Sequence, residues 1–79
     1  MKREISYNEA MKHLPECCIC AVEACVADSG ETIRNIIDGV EHELQMYAED
    51  QDGCISAKER NQCVKYQLWL KGYSDKPRN

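Results

Sequence analysis

Between residues 31 and 49 the apolar side chains Ile33, Ile36, Ile37, Val40, Leu44 and Tyr47 recur at three- and four-residue steps. That rhythm commits the segment to an α-helix with one apolar stripe, and a stripe has to be buried against something. Glu31, Asp38, Glu41 and Glu49 fall on or near the opposite face. The segment therefore reads as an acidic ridge over a hydrophobic floor. Gly39 sits inside it at a cost of about 1 kcal/mol relative to alanine. Either a close helix–helix contact or simple tolerance accounts for that glycine, and tolerance is the expectation.

The partners for the stripe are further helices. Ser6-Tyr7-Asn8-Glu9 has the form of a capping box, in which serine and glutamate satisfy the first free amides of a helix, here a short one over 7–13. Pro15 disfavours helical geometry at Leu14 and suits a new first turn, so a second helix is expected over 15–27. Only Glu16 and Glu23 interrupt its apolar run, which places it in the centre of a bundle or across a dimer seam. Asp28-Ser29-Gly30 ends it. Asp50-Gln51-Asp52-Gly53 reads as a turn, Ser56 and Glu59 repeat the capping box, and a fourth helix runs to Lys71 with Gly72 as its stop. The expectation is a single all-α domain over 1–73, a small bundle of about four helices, followed by a flexible tail over 74–79. Seventy-nine residues bury only about 60–65% of the unfolded surface, so a partner subunit, a metal or disulfides would help. A homodimer joined through the second helix is one way to complete the core.

No run approaches the roughly 18–20 apolar residues that a bilayer demands, and no apolar segment follows Met1-Lys2-Arg3-Glu4, so a cytoplasmic protein with no membrane role is expected. The net charge of −4 hides a gradient: +1 over residues 1–15, −9 over 16–53 where Arg34 is the one base, and +4 over 54–79. An acidic middle repels phosphate backbones and attracts basic protein surfaces, which disfavours direct nucleic-acid binding through that face.

The six cysteines are expected to be reduced, and chiefly core side chains, since reduced cysteine behaves as a small apolar residue. A metal is the sharper alternative. Cys17 and Cys20 form a C-x2-C pair to which Cys54 and Cys63 add two thiolates, a tetrahedral zinc set by residue type. For redox chemistry, Cys17 and Cys18 near the start of the second helix are best placed.

Residues 47–59 resemble the calcium loop of an EF-hand. Asp50, Asp52, Gly53, Ile55, Ser56 and Glu59 fall where that loop puts oxygen ligands, its glycine, its apolar residue and its last glutamate. The resemblance implies calcium held by Asp50, Asp52 and Glu59. It departs from the family at Ala48, which stands where an aspartate ligand belongs, and around residues 12–15, where no acidic partner loop occurs. A helix–turn–helix corner explains the same residues.

Tyr66, Trp69, Leu70 and Tyr73 follow one another at helical steps beside Lys65 and Lys71. At least two of the three rings are expected in the core, and Trp69, off the line of the others, is the candidate to reach a partner. His13 and His42 are isolated, and no nucleophile motif or phosphate-cradling loop occurs, so an enzyme is not expected. The leading expectation is a non-enzymatic, acidic protein-binding module with no cofactor. It would dock Glu31, Asp38, Glu41, Glu49 and Trp69 onto a basic surface of a partner protein. A phage or mobile-element inhibitor of a nucleic-acid-handling or host-defence enzyme is built in this way, an analogy of size and charge. The alternative is a helical module holding zinc or calcium.

Overall fold

A computed structural model describes residues 3–49 and 56–75. Four helices form the body: α1 (Tyr7–Lys12), α2 (Ile19–Ser29), α3 (Ile33–Glu49) and α4 (Ala57–Lys71), with a 3-10 turn at Glu16–Cys18 ahead of α2. Both capping boxes form, the Glu9 amide donating to Ser6 Oγ and the Glu59 amide to Ser56 Oγ, each at 3.2 Å. The fold is thus the small all-α bundle that the periodicity implies.

The segment expected as one helix over 15–27 starts differently. The Cys18 amide donates to the Pro15 carbonyl at 3.0 Å, a three-residue step that keeps Glu16–Cys18 in 3-10 geometry before the α-helix begins at Ile19. At the far end Gly30 takes φ +93°, a conformation open to glycine, and its amide closes α2 onto the Val26 carbonyl at 2.8 Å. Apolar composition does not put α2 in the centre. Cys18, Ala21 and Val22 are buried, whereas Cys20, Ala24 and Ala27 are exposed.

The stripe of α3 is the floor of the core. Ile33, Ile36, Ile37, Val40 and Tyr47 are buried and Leu44 is half-buried. Against them pack Val22 and Cys18 from one side and Cys63, Tyr66 and Leu70 of α4 from the other. Gly39 is not a tolerated defect. A Cβ there would lie 2.7 Å from the Val22 Cα and 2.8 Å from its nitrogen, so the missing side chain lets α2 and α3 approach backbone to backbone. Lys71 at the end of α4 meets Glu41 at the middle of α3 at 3.3 Å.

Two three-residue strands close the ends of the chain. β1 (Arg3–Ile5) and β2 (Tyr73–Asp75) pair in parallel, Arg3 opposite Tyr73 and Ile5 opposite Asp75. Asp75 Oδ1 also accepts from the Ile33 amide at 2.5 Å, so a side chain from the C-terminal strand caps the N-terminus of α3. Ser74 and Asp75, placed in the tail by the sequence reading, are therefore strand residues. The rest of the expected tail, residues 76–79, lies outside the described residues.

Candidate functional site

Three sulfur atoms meet where the 3-10 turn abuts α4. The Sγ atoms of Cys17, Cys18 and Cys63 all lie within 4.8 Å of one another: Cys18 to Cys63 is 2.7 Å, Cys17 to Cys63 is 3.1 Å and Cys17 to Cys18 is 3.9 Å. The turn supplies two adjacent thiols, Cys17 and Cys18. Cys18 turns into the core while Cys17 points along its edge, and Cys63 meets both from the buried face of α4.

Two tyrosines hold the frame. Tyr47 of α3 donates its hydroxyl to the Cys17 carbonyl at 3.1 Å, fixing the 3-10 turn against α3. Tyr66, one turn beyond Cys63, donates to the Ala10 carbonyl and binds α4 to α1. Both hydroxyls have pKa values held well above the ordinary tyrosine value, first by burial, so both remain donors across the physiological range.

Electrostatics keep the buried thiols protonated. Cys63 is pushed up to about 11, chiefly by burial. Cys18 is raised further, by burial and then by the neighbouring Cys63 thiol. Neither is a thiolate near neutral pH, which excludes them as free nucleophiles. A cation that replaced those protons would change this, because a coordinating thiol is deprotonated outright.

A way in exists beside Cys17. A cleft of about 530 Å³ is lined by Glu16, Cys17, Glu59 and Gln62, so the half-buried member of the trio faces solvent between two carboxylates. A tetrahedral zinc with Zn–S near 2.3 Å spaces its sulfurs about 3.8 Å apart. An ion among these three would keep the 3.9 Å pair and spread the 3.1 and 2.7 Å pairs by about 1 Å.

Of the zinc set read from the sequence, Cys17 and Cys63 are brought together. Cys20 is exposed and outside the cluster, and Cys54 lies outside the described residues. The third sulfur of the cluster is Cys18. The C-x2-C spacing misleads because Cys20 stands about 200° around the axis from Cys18 once α2 has begun, on the face turned to solvent. For the calcium reading, Asp50 and Asp52 lie outside the described residues. Glu59 is exposed in the first turn of α4, where Ser56 Oγ contacts its Oε1 at 3.4 Å.

The acidic ridge is partly engaged within the chain. Asp38 pairs with Arg34 at 3.1 Å and Glu41 with Lys71 at 3.3 Å, while Glu49 accepts from Gln45 Nε2 at 3.4 Å. Glu31 is exposed just ahead of α3. Trp69 is half-buried, with His13, Tyr66 and Tyr73 at ring separations of 5.7, 5.5 and 4.8 Å. It lines a second cleft with His13, Pro15, Gln62, Lys65 and Tyr66. Among the described residues no helix is long and apolar enough to cross a membrane. Comparison with protein-family models, with curated proteins and with solved structures gives no match.

Proposed function

We propose that this chain is a small helical metal-binding module in which Cys17, Cys18 and Cys63 hold a thiophilic divalent ion, zinc foremost. The observation that carries the reading is the convergence of three sulfurs from segments some 45 residues apart at an edge reached by an acidic cleft. Thiolate ligands select zinc and other soft or borderline ions over calcium and magnesium. Binding would release the protons that burial holds on Cys18 and Cys63, and would tie the 3-10 turn to α4. A chain too short to build a large core gains stability from such a link.

The test is native mass spectrometry of reduced protein purified without chelator, with thermal melts beside it. One zinc per chain and a melting point raised by zinc are expected, both lost in Cys18→Ser and in Cys63→Ser. A mass equal to the bare polypeptide with no thermal response to zinc refutes the reading.

A second reading, docking onto a basic protein surface as a regulator or inhibitor, is favoured by one observation. Leu68 is 64% exposed, and Val64, one turn earlier on the same face of α4, and Met46 on α3 are exposed as well. Large apolar side chains left in water suit a protein interface. Reversing Glu31, Asp38 and Glu41 to lysine should weaken capture of a basic partner and flatten its salt dependence. Affinity and salt dependence that stay as they were would remove this reading.

A further inference from the structure

Three thiolates leave one place open in a tetrahedral site, and we infer that the Glu59 carboxylate fills it, an assignment that rests on the metal reading above. Glu59 precedes Cys63 by four residues on α4, so the two side chains share one helix face. Its backbone carbonyl is already 4.0 Å from Cys17 Sγ, and its side chain lines the cleft that exposes Cys17. The carboxylate is lightly held, by a 3.4 Å contact from Ser56 Oγ in an exposed setting. Turning toward the sulfurs costs it one weak surface hydrogen bond.

Glu16 is the other carboxylate of that cleft, and geometry sets it aside. It lies in the same 3-10 turn as Cys17 and Cys18, where three consecutive side chains point about 120° apart and cannot all converge on one ion. Glu59 comes from the opposite wall. The resulting set is three sulfurs and one oxygen. An oxygen ligand on a mobile carboxylate suits zinc and cobalt(II) and adds little for copper(I), which thiolates alone satisfy. The site would then be closed by a ligand that can leave, with the vacated position facing the cleft.

Cobalt(II) in the reduced full chain is the probe, because its visible bands report the ligand set and its sulfur charge-transfer bands report the thiolates. Zinc competition supplies the affinity. Glu59→Gln should shift the visible bands, keep the sulfur bands and weaken zinc by at least about tenfold, the low end of what even an outer-shell partner costs. It should leave copper(I) affinity unchanged, and Glu16→Gln should change none of these. Ser56→Ala controls for helix capping: it lowers the melting point and leaves the cobalt spectrum alone. A Glu59→Gln spectrum and zinc affinity equal to the parent protein's overturn the assignment. It is overturned equally if Cys54→Ser, rather than Glu59→Gln, alters the bands, since the fourth ligand is then a thiolate. A parent chain that takes up no cobalt or zinc at all marks the failure of the metal reading itself.

Discussion

Gly39→Ala turns the close backbone approach of α2 and α3 into a measurable sign. On an isolated helix the change is favourable by about 1 kcal/mol, because glycine has the larger backbone entropy to lose. Here the new methyl would stand 2.7 Å from the Val22 Cα, 2.8 Å from the Val22 nitrogen and 2.9 Å from Val22 Cγ2. Carbon atoms rest at about 3.5–4.0 Å, so α2 must withdraw by close to 1 Å. Two of the three obstructing atoms are backbone and cannot turn aside by changing rotamer. Val22, Ile36 and Val40 are fully buried around this contact, so the withdrawal loosens the centre of the core. Overpacking of this kind costs typically 1–3 kcal/mol, and the rigid neighbours put Gly39 toward the upper end. After the helix gain is subtracted, a net loss of about 1–2 kcal/mol remains. For a domain of this size that lowers the melting point by roughly 5–15 °C. Thermal or urea unfolding at fixed zinc concentration reads it, since a bound ion shifts apparent stability by itself. Adding Val22→Ala removes only the 2.9 Å contact and should not restore stability. A Gly39→Ala protein as stable as the parent, or more so, would refute the close-contact account.

Tyr66→Phe removes one of two donors to the Ala10 carbonyl, which keeps the His13 amide at 3.3 Å, and should cost about 0.5–1.5 kcal/mol; a midpoint unchanged in urea would mean that the tyrosine bond adds nothing to stability. Asp75→Ala removes the cap on the Ile33 amide and should cost about 1 kcal/mol, with faster amide exchange in the first turn of α3 as its local signature. Normal exchange there would show the cap to be dispensable. In metal-free, reduced protein, burial pushes Cys63 to about 11 and raises Cys18 as well, from an ordinary value of 9.0. As pH climbs through about 9 the unfolded chain loses these protons first and binds fewer than the native state, so stability falls from there toward about pH 11. Urea midpoints measured across that window check it, and a flat profile would contradict burial of neutral thiols.

What could be read from the sequence is what local chemistry decides. The α3 stripe, Pro15 and the two serine–glutamate caps placed four helices to within a few residues because each signal acts over one or two turns. The features that were missed depend on residues far apart in the chain. Arg3 to Ile5 and Tyr73 to Asp75 carry no alternation long enough to announce a strand, and they pair because the folded bundle delivers both chain ends to one edge. Asp75 caps a helix that starts 42 positions earlier, which no local capping signature records. Gly39 needed the identity of its neighbour, Val22. That Cys18 and not Cys20 lies beside Cys17 and Cys63 depends on where the chain enters an α-helix, at Ile19. The adjacent pair Cys17-Cys18 was the available signal: in a tight 3-10 turn two consecutive thiols can reach one partner on another helix.

The two candidate functions differ in what else would explain their residues. The acids of α3 have ordinary uses: Asp38 steadies Arg34 one turn away, and Glu41 brings Lys71 of the basic C-terminal third onto the acidic middle. Exposed pairs of that kind contribute about 0–1 kcal/mol. A basic partner could displace them, though it would gain less than the sequence charge of −9 over residues 16–53 suggests. The sulfurs are harder to explain by packing. A core needs volume, which alanine or valine supplies without bringing Sγ atoms to 2.7 and 3.1 Å. Burial alone would favour separating three groups whose mutual influence raises the pKa of Cys18. It would also favour covering Cys17, which instead opens onto a cleft holding two carboxylates. Sulfurs crowded in this way, with an acidic approach on one side, are the ground of the metal proposal, and adding a divalent cation is the perturbation that tests it most directly.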